Sequence, residues 1–168
     1  MNTASIRYMG LGLLMAFAAA GAFAAGKTLS VTEKVDLPVP PARVWSTIKD
    51  FDGWQTWHPR IASTEILKGK PNTKGTVRVL TTKDGAKINE ELMSHSAGSM
   101  SYKYRILDSP LPVTNYVSTL KVNKSKTGST VVWTATFKAK AGSSDDEAKK
   151  VMAGVYRAGL DNLNNVVK

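Results

Sequence analysis

His58 and His95 are the two histidines of this 168-residue chain, which has no cysteine. General acid–base chemistry most often uses histidine, so any catalysis would begin at His58, between the Trp54–Trp57 segment and Pro59. No serine in a recognisable nucleophile context accompanies it, and a histidine in that setting serves equally as a packing or capping residue. No catalytic residue is assigned on this basis. Two histidines without thiolates do not make an ordinary metal site. The chain also carries no glycine-rich phosphate loop and no haem-attachment motif, so neither metal nor cofactor is expected.

The second candidate chemistry is a carboxylate held inside. Ile88, Glu90 and Leu92 alternate with polar residues, which puts Glu90 on the inward face of a strand. A buried carboxylate without a partner is costly. Arg78, Arg105 or a tyrosine hydroxyl can supply one. If Asp84-Gly85 forms a two-residue turn, however, Arg78 falls opposite Glu91 and makes an outward ion pair of little worth. Both a structural and a ligand-orienting role for Glu90 follow from these residues.

Aromatic side chains with polar tips form the third group. Alternation places Tyr102, Tyr104 and Ile106 on one face of a strand, Tyr116, Ser118, Leu120 and Val122 on one face of another, and Val131, Trp133, Ala135 and Phe137 on one face of a third. Such rings orient ligands in apolar pockets, and they also fill ordinary cores. The cavity candidates are Trp54, Trp57, His58, Arg78, Glu90, Tyr102, Tyr104, Tyr116, Trp133, Phe137, Val155 and Gly159.

These side chains need elements to carry them. Leu29 to Leu37 alternates as a strand. Pro38-Val39-Pro40-Pro41 ends it and starts a short helix through Ile48, proline being tolerated in a first helical turn; Val44, Trp45 and Ile48 face the core. Asp52 to His58 reads as a second short helical or turn segment. Six strands follow, Ile61 to Leu67, Thr76 to Thr82, Ala86 to His95, Ser99 to Leu107, Thr114 to Asn123 and Thr130 to Lys140, with hairpin turns at Asp84-Gly85 and Thr127-Gly128. A long helix then starts at the capping box Ser144 to Glu147. Its apolar stripe is Ala148, Val151, Met152, Val155, Gly159, Leu163 and Val166. Gly154 and Gly159 each cost about 1 kcal/mol relative to alanine, so either something packs closely there or space is wanted.

The run Val44-Trp45-Ser46-Thr47-Ile48-Lys49-Asp50-Phe51-Asp52-Gly53-Trp54-Gln55-Thr56-Trp57-His58-Pro59 resembles the opening signature of START-like, polyketide-cyclase-type proteins. Gly75 to Arg78, Ile88 to Leu92, Leu111 to Tyr116 and Val132 to Phe137 match the same pattern. The resemblance implies an α+β helix-grip fold, a curved antiparallel sheet of about seven strands around a long C-terminal helix, with two short helices after the first strand. It also points to Arg78 as the partner of Glu90. Within the superfamily the sequence is most similar to the periplasmic accessory proteins of bacterial methanol oxidation, which implies a periplasmic dehydrogenase or cytochrome c as partner. Helix-grip proteins also include carriers of small hydrophobic ligands or lipids, and cyclases; a cyclase or hydrolase would use His58 and Glu90.

Around this domain, expected at residues 25–168, the sequence carries an export pattern. Arg7, an apolar run from Tyr8 to Ala20 and Ala22-Phe23-Ala24 read as a signal peptide over residues 1–24, cleaved after Ala24 or Ala25. The run is short for a membrane span, which needs roughly 20 apolar residues, so no stable membrane anchor is expected after cleavage. The expected compartment is the periplasm, where a protein without cysteine is stabilised by packing alone. The formal net charge is +10, and loss of Arg7 lowers it by one. That excess attracts anionic partners; export argues against nucleic acid and leaves acidic proteins, anionic lipid or a charged ligand.

Overall fold

The computed structural model describes residues 27–167; the signal-peptide expectation lies outside them. The chain runs β1 (Leu29–Leu37), α1 (Pro41–Ile48), a 3-10 turn (Trp54–Thr56), β2 (Ile61–Lys68), β3 (Val77–Thr82), β4 (Lys87–Ser96), β5 (Ser101–Asp108), β6 (Val113–Lys124), β7 (Ser129–Ala139) and α2 (Asp145–Val166). The strands form one antiparallel sheet in the order β1-β7-β6-β5-β4-β3-β2. This is the helix-grip arrangement expected from the sequence, with the second short helix reduced to a single 3-10 turn.

Local rules account for most of these boundaries. Pro41 stands at the first position of α1, where its missing N–H is no loss, and Val44, Trp45 and Ile48 are buried. The Ser144 side chain accepts a bond from the Glu147 backbone N–H, with Asp145, Asp146 and Glu147 complementing the dipole of the first turn. The buried face of α2 is Ala148, Met152, Tyr156, Gly159, Leu160 and Leu163. The expected stripe therefore shifts: Tyr156 and Leu160 belong to it, Val151 and Val155 are half-buried at its margin, and Val166 is exposed.

The β3–β4 hairpin decides the placement of Glu90. Thr82 and Ala86 flank a three-residue loop, Lys83-Asp84-Gly85, with Gly85 N–H donating to Thr82 C=O and Gly85 at φ +87°. That is a type I turn closed by a left-handed glycine. The extra residue relative to a two-residue turn moves the register by one, so Arg78 faces Glu90 and Val77 faces Glu91. The pairing of Arg78 with Glu91 that a two-residue turn would impose does not occur.

A bulge in β6 does similar work. Its register against β7 shifts between Thr114 and Val117, with Asn115 at φ +52°. Val113 and Tyr116, three residues apart, consequently both point inward and are buried.

Candidate functional site

Between the sheet and α2 lies a cavity of about 460 Å³. Its walls are aromatic and aliphatic: Trp54, Tyr104, Tyr116, Trp133 and Tyr156 with Ile61, Leu80, Ile88, Ile106, Val151, Met152 and Val155. His58 and Glu90 also border it, and Arg60, Lys83, Asp84, Pro110 and Leu111 stand at its mouth.

Trp133 organises the aromatic wall. Its ring stacks on Tyr156 with centroids 4.4 Å apart and meets Trp54 edge-on at 5.2 Å. Its Nε1–H is shared between the hydroxyls of Tyr104 and Ser118, both at 3.0 Å. Tyr116 bridges from Tyr104 at 3.4 Å to Tyr156 at 2.5 Å, so the three tyrosine hydroxyls form one hydrogen-bonded chain. Burial pushes all three phenols well above their ordinary range, and they stay neutral.

Arg78 forms the second layer. Its guanidinium carbon lies 3.8 Å from the Phe51 ring centroid and 4.0 Å from that of Trp54, a stacked cation in a desolvated position. Nε and Nη2 both donate to Glu90 Oε2, at 2.8 and 2.5 Å, while Nη1 donates to the Phe51 carbonyl. Both side chains are almost fully buried. Burial pushes the Glu90 carboxyl up from its ordinary value, against the opposing pull of Arg78. Arg105 instead pairs with Glu91 on the outer face at 2.6 Å.

His58 is held at both nitrogens. The Arg60 backbone N–H reaches Nδ1 at 3.3 Å, which makes that atom the acceptor; Nε2 therefore carries the proton and donates to the Val155 carbonyl at 3.1 Å. Desolvation by burial lowers its pKa to about 4, so the ring is neutral at pH 7. It stacks parallel to Trp54 and lies against Gly159, where an added Cβ would come within 2.7 Å of its Cδ2 and 3.0 Å of Trp57 Cζ3. Gly159 is thus the seat for His58 and Trp57. It does not hollow the cavity, contrary to the alternative that space is wanted there.

The twelve candidate residues separate accordingly. Trp54, His58, Glu90, Tyr104, Tyr116, Trp133 and Val155 border the cavity. The other five stand behind it. Arg78 backs Glu90, and Tyr102 accepts the Trp54 Nε1–H at 3.0 Å. Phe137 packs on Tyr116, while Trp57 is wedged among Trp54, His58 and Trp133. Residue spacing missed Tyr156, which a strict count of positions 148, 152 and 156 would have found, and Ile61 and Leu80, which carry no chemical signal. Among the described residues no group of three or more His, Asp or Glu side chains is placed to hold a metal ion.

A seven-stranded sheet gripping one long helix over an aromatic-walled cavity defines the helix-grip class of binding folds. Residues 28–168 match the family described as polyketide cyclase / dehydrase and lipid transport, and the chain belongs to that family, within the START-like superfamily. Comparison with curated proteins gives no match. Among solved structures, the protein XoxI from Bacillus cereus is 32% identical with a TM-score of 0.73, over 83% of this chain and 94% of that one. An uncharacterized protein from Bacillus thuringiensis is 31% identical with a TM-score of 0.73, over 84% and 98%. Ara h 8.0201, at 21% identity and a TM-score of 0.70 over 84% and 98%, shares the fold.

Proposed function

We propose that this protein is an exported binder that holds one small, mostly apolar molecule between sheet and α2 and performs no chemistry on it. The observation that carries the reading is the cavity of about 460 Å³ walled by Trp54, Tyr104, Trp133 and Tyr156, within the roughly 300–1,000 Å³ typical of small-molecule sites. The absence of an activated pair supports binding over turnover. His58 spends both nitrogens on backbone groups, so it is not poised to move a substrate proton, and among the described residues the side-chain partner of Glu90 is Arg78, a permanent cation that cannot relay a proton. The pattern over residues 1–24 supports export to the periplasm. Native mass spectrometry of the protein purified from that compartment tests the reading: a discrete bound mass of a few hundred daltons is expected. A ligand-free protein that also takes up no apolar probe would overturn it.

A second reading, an accessory to a periplasmic dehydrogenase and its cytochrome c of the methanol-oxidation type, is supported by the net charge of +10 and by the sequence resemblance. Charge complementarity raises association rates and selects partners. A complex with such a partner that dissociates as salt is raised supports this reading. Binding unchanged between low and several hundred millimolar salt removes its electrostatic basis.

A further inference from the structure

Glu90 carries an asymmetry that its pairing with Arg78 does not require. An arginine commonly meets a carboxylate with one N–H on each oxygen. In this protein Nε and Nη2 both go to Oε2, and Nη1 is diverted to the Phe51 carbonyl. Oε1 receives no bond from any described residue. Nor is it sealed off, because the buried polar side-chain atoms without partners are Trp57 Nε1, Thr64 Oγ1 and Ser125 Oγ. Glu90 is 3% exposed, and it borders the cavity. The carboxylate therefore presents an unused acceptor to a mostly apolar chamber. The nearby tyrosine hydroxyls are bonded to one another or to tryptophan N–H groups.

We infer that Glu90 Oε1 is the polar anchor of the cavity, and that it selects uncharged ligands with an O–H donor, an alcohol or phenol on an apolar body, inserted hydroxyl first. The inference rests on the cavity reading and deepens it. A donor that reaches Oε1 recovers acceptor capacity that the fold leaves unspent in a desolvated place. A carboxylic acid entering the same way would set a second negative group against the first, which is unfavourable in a low-dielectric site. An organic cation would come close to the Arg78 guanidinium. The aromatic walls are sequence-tolerant packing surfaces for the ligand body, so the donor and not the body sets the preference.

The test is a matched series on the wild-type protein: a naphthyl alcohol, its methyl ether and the corresponding naphthyl carboxylic acid, titrated by calorimetry. The alcohol is expected to bind about tenfold or more tighter than the ether, as a hydrogen bond to a charged acceptor implies, and tighter than the acid. In Glu90→Gln, where an amide can face the cavity as a donor while its oxygen keeps Arg78, the preference for alcohol over ether should disappear. Ether binding as tightly as alcohol, or acid binding tightest, overturns the inference and leaves the cavity reading intact. No binding by any of the three overturns both. The wild-type series decides the matter even if the variant does not fold.

Discussion

Two glutamates adjacent in sequence, Glu90 and Glu91, each pair with an arginine across a neighbouring strand, at 2.5 and 2.6 Å. The inner pair has side chains 0% and 5% exposed, while the outer pair, Arg105 with Glu91, stands at 49% and 26%. Residue types and distances are nearly the same, and only the face of β4 differs. The outer charges sit in water, where their attraction is weak and screened. The inner charges have lost their hydration, so each depends on the other and on the surrounding rings. An ion pair's importance is set by what replaces water around it.

Breaking the two pairs in parallel should give the widest separation. Arg78→Met leaves Glu90 buried and alone and is expected to cost about 3–5 kcal/mol; Arg105→Met should cost less than about 1 kcal/mol. Denaturant unfolding of the two variants measures both. Equal losses would erase the distinction between the faces.

His58 extends the comparison to pH. Its folded pKa of about 4 lies below the unfolded value of 6.5, so the unfolded chain takes up a proton first as pH falls. The associated stability is full above pH 6.5 and lost on the way down to about 4, amounting to about 3 kcal/mol. His58→Gln should remove that slope. Glu90, whose raised value runs in the opposite sense, is present in both proteins and cancels from the difference. Thermal unfolding of wild type and variant from pH 7 to pH 4 checks this.

The smallest effects are expected within one helix. Gly159→Ala would push a methyl into His58 and Trp57, at a cost of about 1–3 kcal/mol for overpacking, partly offset by about 1 kcal/mol of helix propensity. Gly154→Ala meets nothing within 4 Å and should stabilise by up to about 1 kcal/mol. Opposite signs in melting temperature are the expected outcome; equal signs would mean that Gly159 is not a docking seat.

Much of this architecture was legible in order along the chain. Period-two alternation located β1 from Leu29 to Leu37 and placed Tyr102, Tyr104, Trp133 and Phe137 inside, because a strand with one buried face repeats every second residue. The Ser144 to Glu147 capping box located the start of α2 for an equally local reason. The candidate site was legible in part. Glu90 was inward by alternation, yet its partner depended on whether the β3–β4 loop held two residues or three, and Asp84-Gly85 is compatible with both.

What the sequence by itself determined were the periodicities, the caps, the positive charge and the set of aromatic side chains available to a core, since each depends on a residue and its near neighbours. Only the tertiary structure decided which of those aromatics border empty space and which fill it. Trp57 and Gly159 were cavity candidates by position, and they pack against each other instead. The unused oxygen of Glu90 belongs to the same category. It arises because Phe51, Trp54 and Glu90, brought together from the loop after α1 and from β4, jointly orient one guanidinium, and no pairwise spacing along the chain records that geometry.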